Sequence, residues 1–250
     1  MSQPATRRRQ QSPWQGLGEK LSHEVRRIKI GNHVFQLKCL GDLEEALSTS
    51  LKVVAARDKT ASATNTAEFN PYFGIIWPAA IGLAEHLIAR FEATGLPRAT
   101  FELGCGLALP SLVAAAAGVA RVTATDRHPM VAEFLAANAA QNQLPGITYQ
   151  NLDWRDVTET EAQALGGKLE LMIGSDLLYE SWQPGYLAAT VAKLLAPSGT
   201  AILADPGRRY MDDFLSLCEA HGLVCQQTCV RSVRLNDQRT DVLIAEFGWE

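Results

Sequence analysis

Apolar positions along most of the chain follow two spacings in turn. Short apolar runs, typical of buried strands, alternate with stretches in which apolar residues recur every three to four positions, as in amphipathic helices. This order predicts a parallel sheet with helices on both faces and with the C-terminal ends of the strands along one edge. The predicted strands cover residues 100–103, 121–125, 147–152, 169–174 and 200–204, and the predicted helices cover residues 79–93, 110–118, 129–143, 183–196 and 209–221.

Two further strand-like segments, residues 224–233 and 241–247, close the chain. The polar residues 235–239 join them, which predicts an antiparallel hairpin. We therefore expect an α/β fold of Rossmann-like type, with a mostly parallel seven-stranded sheet that ends in this hairpin. A six-strand dinucleotide-binding domain would not have this closing hairpin.

The N-terminal part of the chain has a separate, smaller pattern. The turn dipeptide Gly31-Asn32 stands between strand formers and predicts a β-hairpin, and Asp42 is placed to cap a helix that runs to about residue 56. We expect this unit to pack on, or cover, the mouth of the main domain. The expected regions are a disordered leader (1–22), a hairpin and helix extension with a mobile polar end (23–70) and the main domain (71–250).

A glycine-containing turn follows the first strand of the main domain. The strand ends at Glu102 and Leu103, and Gly104-Cys105-Gly106 then leads into a helix. The first glycine permits a tight turn, the second leaves bare backbone for a ligand, and the helix N-terminus offers free N–H groups. The turn predicts a nucleoside-type ligand, although an ordinary strand-to-helix turn remains an alternative.

Two departures from the dinucleotide fingerprint reduce the range of ligands that this turn could bind. Leu109 stands where the fingerprint has a third glycine or alanine, and Glu102 places a carboxylate inside the turn. A carboxylate would repel a diphosphate and attract a cation or hydroxyl groups. S-adenosylmethionine has no phosphate and carries an ammonium group, so it satisfies both conditions.

Acidic residues follow the next two strands. Asp126 ends the second strand, twenty residues after Gly106, where a carboxylate accepts hydrogen bonds from ribose hydroxyls, although it would equally cap the next helix. Asp153 ends the third strand and is placed to accept from an adenine amine. Trp154 beside it offers a flat surface for the base. Trp77, before the helix over 79–93, either lines the cleft or staples that helix to the sheet.

The fourth strand ends in Ser175-Asp176-Leu177-Leu178-Tyr179. Asp176 and Tyr179 are three residues apart, so after a turn they would point to one side and could hold an incoming nucleophile. The plain alternative is a helix-start aspartate with a packed tyrosine.

Composition and charge exclude several classes of protein. The chain has 250 residues, of which 47% are hydrophobic and 20% charged, and its net charge is −4. Wholesale disorder is excluded, and nucleic acid is not expected as a partner. Neither a membrane span nor an apolar signal region is present, and five cysteines without a C-x-x-C pair fit a reduced, cytoplasmic location. Residues 7–9 are all arginine, but we favour a solvated leader over an organelle-targeting peptide, and we expect no metal site.

Four motifs in order resemble a known family. They are GIIWPAA at 74–80, ELGCG at 102–106, LDW at 152–154 and the acidic-x-x-Tyr motif DLLY at 176–179. The chain is similar to the class I, seven-strand protein lysine methyltransferases of the methyltransferase-like group (family 16 type). ADPGR at 204–208 resembles the relatives that methylate the electron-transfer flavoprotein β-subunit.

The resemblance implies roles for individual residues. Asp176 and Tyr179 would border the target-amine channel as the catalytic pair. The family usually has Thr-Gly or a similar small pair where this chain has Leu107-Ala108, which could tighten the cofactor pocket. The residues that would contact S-adenosylmethionine are Trp77, Glu102, Gly104, Gly106, Asp126, Asp153, Trp154 and Ser175.

The resulting hypothesis is S-adenosylmethionine-dependent methyl transfer to a nitrogen, expected to be a lysine side chain of a protein. Asp176 would align the amine rather than act as a strong base, because a nearby anion raises the pKa of an amine. The alternatives are a small-molecule N-methyltransferase and a non-catalytic S-adenosylmethionine-binding protein. An NAD-linked oxidoreductase is the weakest alternative.

Overall fold

A mixed β-sheet forms the centre of the protein in a computed structural model, which describes residues 21–57, 70–157 and 169–250. Within those residues seven strands form this sheet: β3 (Ala99–Leu103), β4 (Arg121–Asp126), β5 (Ile147–Asn151), β6 (Leu169–Ser175), β7 (Leu195–Asp205), β8 (Leu223–Leu235) and β9 (Gln238–Trp249). Their spatial order is β5-β4-β3-β6-β7-β9-β8. Strands β3 to β7 pair in parallel, and β9 pairs antiparallel with both β7 and β8.

Helices cover both faces of this central sheet. Side chains alternate along each strand, so Leu171 and Ile173 of β6 join one apolar cluster while Met172 joins the other. The described helices of the main domain are α2 (Pro78–Thr94), α3 (Leu109–Ala117), α4 (Val131–Gln141), α5 (Gln183–Leu194) and α6 (Met211–Ala220). Side chains of α2, α3 and α4 belong to the first cluster, and side chains of α5 and α6 belong to the second.

A hairpin and a helix precede the main domain. Strands β1 (His23–Ile30) and β2 (His33–Leu40) pair antiparallel, and α1 (Leu43–Arg57) follows. The side chain of Asp42 accepts hydrogen bonds from the backbone N–H groups of Glu44 and Glu45 at 2.8 and 3.0 Å, and these bonds cap α1.

The hairpin packs on the main domain through α4. The backbone N–H groups of Gln36 and Lys38 donate to the side-chain oxygens of Asn142 and Asn138, at 2.9 and 2.7 Å. Between them Leu37 points inward and is fully buried. This packing fixes β2 beside the C-terminal edge of the central sheet.

The predicted fold class and the order of the main-domain elements are confirmed. The closing hairpin is longer than expected, since β8 and β9 extend beyond the predicted segments at both ends. Apart from residues 21, 22 and 70, the predicted leader and the predicted mobile segment lie outside the described residues. Among helices in the described ranges, none is both long and apolar enough to cross a bilayer.

Candidate functional site

A cleft opens at the C-terminal edge of the central sheet, beside the turn between β3 and α3. It encloses about 1020 Å³ of empty space, part of it open to solvent. Residues far apart in sequence meet here because parallel strands place their C-terminal ends together. Nine of the ten predicted site residues line it: Trp77, Gly104, Gly106, Asp126, Asp153, Trp154, Ser175, Asp176 and Tyr179.

The glycine turn needs both glycines for steric reasons. Gly104 and Gly106 have φ values of +57° and +51°, in the left-handed region. A Cβ at Gly104 would lie 2.6 Å from Leu177 Cδ2, and one at Gly106 would lie 3.1 Å from the carbonyl oxygen of Phe73. The 3₁₀ segment that contains Phe73 therefore rests against the turn. Leu107 and Ala108 also line the cleft.

Glu102, the tenth predicted residue, lies behind the cleft wall. Its side chain is on the face of β3 opposite Phe101 and Leu103, under the start of α3. Burial raises the pKa of this carboxyl to about 8, although hydrogen bonds from Ser111 act in the opposite direction. Direct contact with a ligand stays a prediction for Glu102, whereas its hydrogen bonds to the α3 N-terminus are part of the structure.

Asp126 braces the glycine turn. One carboxylate oxygen accepts from the backbone N–H of Gly106 at 3.1 Å, and the other accepts from the N–H of His128 at 2.8 Å. Burial raises the pKa of Asp126, and these two hydrogen bonds partly oppose that rise. The carboxylate thus joins the end of β4 to the turn after β3.

Asp153 and Trp154 form the wall after β5. Asp153 is paired with Arg155, whose Nε lies 2.9 Å from Oδ1. Partial burial acts to raise the pKa of Asp153, but the hydrogen bonds and charge of Arg155 outweigh it and lower the pKa. The rings of Trp154 and Trp182 lie 6.4 Å apart. This wall combines a carboxylate ionised at neutral pH with indole surface.

Asp176 occupies an unusual backbone conformation at the end of β6. Its φ is +58°, its backbone N–H donates to Ala204 O at 2.9 Å, and its side chain is only 4% exposed. Oδ1 accepts from Arg208 Nε at 2.5 Å, while buried Oδ2 has no hydrogen-bond partner among the described residues. Burial raises the pKa of Asp176, and the Arg208 guanidinium acts to lower it.

Aromatic side chains line the same cleft as this carboxylate. The Tyr72 ring packs edge-on against Trp77 and Tyr179, each at a centroid distance of 6.3 Å. Trp77 Nε1 donates to Tyr72 O at 2.9 Å, which fixes the indole at the start of α2. Trp77 therefore lines the cleft and also anchors the segment before α2, while a role in stapling this helix to the sheet stays a prediction.

Sequence reasoning missed two supporting residues. Gln183, at the start of α5, is buried, and its Oε1 accepts from the backbone N–H groups of Tyr179 and Glu180 at 2.7 Å each. These two hydrogen bonds hold the loop that carries Tyr179. Arg208 belongs to the ADPGR motif, but nothing in the spacing of that motif indicates that Arg208 pairs with Asp176.

Comparison with known proteins identifies the family. A family model described as lysine methyltransferase matches residues 58–221. The chain belongs to this lysine methyltransferase family.

Curated relatives match this chain only in part. Histone-arginine methyltransferase METTL23 of Rattus norvegicus is 30% identical over 48% of this chain and 52% of its own length. Protein N-terminal and lysine N-methyltransferase EFM7 of Candida glabrata is 31% identical over 62% and 65%, respectively. Ubiquinone biosynthesis O-methyltransferase of Caulobacter sp. is 32% identical over half of each chain. The chain thus spans about half to two thirds of these relatives.

A solved structure supports the fold. The ribosomal protein L11 methylase of Lactobacillus delbrueckii superposes with a TM-score of 0.55 and 16% identity, covering 78% of this chain and 92% of that one. At this identity the match shows the fold alone. The lysine methyltransferase family and this fold imply S-adenosylmethionine as the methyl donor.

The residues of the cleft fit this methyl donor. Gly104 and Gly106 contribute backbone to one side of the cleft, while Asp126 and Asp153 present acceptors at neighbouring strand ends. Such acceptors suit ribose hydroxyls and an adenine amine, and indole rings suit the base. The acceptors and flat surfaces of the cleft therefore match the hydroxyls, amine and base of S-adenosylmethionine.

Proposed function

We propose that the protein is an S-adenosylmethionine-dependent N-methyltransferase that methylates a lysine side chain of a protein. The observation that carries this proposal is the pair Asp176 and Tyr179, which lines the same cleft as the glycine turn. We call this pair the acceptor site. Because the acceptor site lies beyond the glycine turn in this cleft, we assign one end of the cleft to the cofactor and the other end to the methyl acceptor.

The cofactor end would use residues from successive strand ends. When bound, S-adenosylmethionine supplies a methyl group activated by its sulfonium. Asp126 would accept from the ribose hydroxyls, and Asp153 with Trp154 would hold the adenine. Trp77, Gly104, Gly106 and Ser175 would line the rest, and Glu102 would act at a distance by holding the turn through Ser111.

The acceptor site would present the target amine without its proton. A free lysine amine with a pKa near about 10.4 is mostly protonated at neutral pH and has no lone pair to react. Tyr72, Trp77 and Tyr179 would displace water from around the amine, and this loss of hydration disfavours the charged form, while Asp176 would align the nitrogen. These residues act by positioning and by excluding water.

Protein nitrogen is the acceptor chemistry that the relatives favour. Two of these relatives are named for methylation of histone arginine and of protein N-termini and lysine, respectively. We propose a protein partner and expect neither nucleic acid nor a membrane. The five cysteines, all within described ranges, are free thiols, which supports a reducing compartment such as the cytoplasm.

Methyl labelling of a lysate tests this function. The purified protein and tritiated S-adenosylmethionine are added to lysate from cells that lack the gene, with the Asp176→Ala variant as the matched control. The expected result is a labelled protein band, absent with the variant, that mass spectrometry identifies as methyllysine. Label confined to a metabolite would replace the proposal by a small-molecule methyltransferase. Binding without any labelling would indicate a scaffold.

A further inference from the structure

Arg208 is held in place by the loop after β7. Asp205 Oδ1 accepts from the backbone N–H groups of Gly207 at 2.8 Å and Arg208 at 2.5 Å. Gly207 has a φ of +85°, which glycine adopts without strain. Asp205 is fully buried, so this turn is anchored in the sheet and directs the following side chain toward β6.

The Arg208 guanidinium lies where a cationic acceptor would bind. Its Nε is 2.5 Å from Asp176 Oδ1, and its Cζ lies 5.9 Å from the centroid of Trp77 and 6.0 Å from that of Tyr179. One carboxylate and two aromatic rings therefore meet at the guanidinium, and such a combination attracts a cation. In this protein the chain's own arginine already supplies that cation.

We propose that Arg208 is a positioning residue for the acceptor site: its guanidinium neutralises Asp176 and thereby makes the site accept the target amine in its uncharged form. This proposal rests on the proposed N-methyltransferase function. Methyl transfer needs the nitrogen lone pair, which forms the new N–C bond while the S–C bond breaks with its electrons left on sulfur. The proton that the target ammonium loses before transfer passes to solvent, and the methylated nitrogen carries the positive charge and leaves the site as an ammonium.

The electrostatic reason is the sign of the local charge. Asp176 alone would stabilise an ammonium and raise the pKa of a bound amine, whereas the pair with Arg208 has no net charge. Arg208 is itself partly exposed, with 32% of its side chain accessible. The other titratable or charged groups that face this corner from neighbouring elements are Asp205, Tyr179, Glu180, Tyr72, Asp126 and Arg127.

The pH dependence of kcat tests the proposal, because kcat reports ionisation in the substrate complex. With the methyl acceptor found by labelling, kcat rises with pH as the bound amine loses its proton. In Arg208→Gln the midpoint of that rise is expected to move upward by about one pH unit. Arg208→Lys keeps the charge and is expected to retain the wild-type midpoint.

A matched control separates local from general charge effects. Arg209→Gln removes the same charge from the neighbouring exposed residue, which stacks on Tyr210, and is expected to leave the midpoint unchanged. A uniform loss of kcat in Arg208→Gln at every pH, with no shift of the midpoint, would assign Arg208 a purely structural role and overturn the proposal. An Arg208→Lys profile that follows Arg208→Gln would do the same.

A second measurement needs no methyl acceptor. The carboxyl carbon of Asp176 is followed by NMR during a pH titration of the protein bound to S-adenosylhomocysteine. Loss of Arg208 is expected to raise the midpoint of Asp176 by about one pH unit or more, and Arg208→Lys is expected to restore it. An unchanged midpoint would refute the neutralisation of Asp176. Absence of methyl labelling by the wild type would instead refute the proposed function, so the two failures differ.

Discussion

The carboxylate of Glu102 joins the end of β3 to the first turn of α3 through Ser111. Its Oε2 accepts from the Ser111 backbone N–H at 3.0 Å and from the Ser111 hydroxyl at 2.5 Å. Oε1 is buried without a hydrogen-bond partner in the described ranges. An anion near a helix N-terminus is favourable, but here burial dominates and raises the pKa to about 8.

This raised pKa predicts how stability depends on pH. The folded protein holds a proton on Glu102 that the unfolded chain loses near pH 4.5, so its contribution to stability is present below that pH and is lost as pH rises toward about 8. Glu102→Gln removes this dependence. The free energy of unfolding of the variant relative to wild type is expected to increase between pH 5 and pH 9, by up to about 4 kcal/mol.

Urea unfolding at the two pH values measures this difference. Both proteins contain the same other buried acids, so the comparison isolates Glu102. A difference in unfolding free energy that is equal at pH 5 and pH 9 would mean that Glu102 is ionised throughout this range.

Loss of the Asp126 carboxylate is expected to weaken cofactor binding. Asp126→Ala leaves the N–H groups of Gly106 and His128 without their acceptor and removes the proposed ribose acceptor. We expect S-adenosylhomocysteine affinity to fall by about 10- to 100-fold, measured by calorimetry. Asp213→Ala, on the exposed side of α6, is the control and should bind normally. Equal affinity in both variants would remove Asp126 from the binding site.

Asp176 is expected to affect transfer but not cofactor binding. Asp176→Ala should lower kcat by about 100-fold or more, because the amine loses its alignment, while S-adenosylhomocysteine affinity stays within about threefold. Asp176→Asn retains the shape and tolerates the positive φ, so it separates charge from geometry. Unchanged turnover in Asp176→Ala would exclude Asp176 from the mechanism.

Ala108 is expected to be a strained position. Its φ is +60°, immediately before α3, and its carbonyl accepts from the Leu112 N–H at 2.9 Å. Because the left-handed region is unfavourable for alanine, relief of this strain in Ala108→Gly should outweigh both the entropy cost of glycine and the loss of a buried methyl group, and stabilise the fold by up to about 1 kcal/mol. Ala114→Gly, inside α3, should instead destabilise it by about 1 kcal/mol. Urea midpoints report both changes, and a loss of stability in Ala108→Gly would contradict the strain.

Local signals in the sequence carried most of the fold. The alternation of strand and helix spacing defines the main-domain elements, since each element's burial pattern is written in consecutive residues. The glycine pair and the acidic strand ends could also be read from the sequence. The C-terminal ends of parallel strands all lie at one edge of the sheet, so a residue at a predicted strand end is also placed at that edge. For that reason Asp126, Asp153 and Asp176 could be assigned to one cleft before any contact was known.

Only the tertiary structure decided the direction of certain side chains and the partners that they contact. Strand alternation turns Glu102 to the α3 face, away from the cleft, and only the packed helix supplies Ser111 as its donor. The pairing of Arg208 with Asp176 depends on neighbouring strands β6 and β7 placing two loops side by side, 32 residues apart in sequence. Such contacts follow from the packing of distant elements, which no local pattern encodes. The sequence by itself thus determined the sheet, the turn and the strand-end carboxylates, and the packing decided their partners.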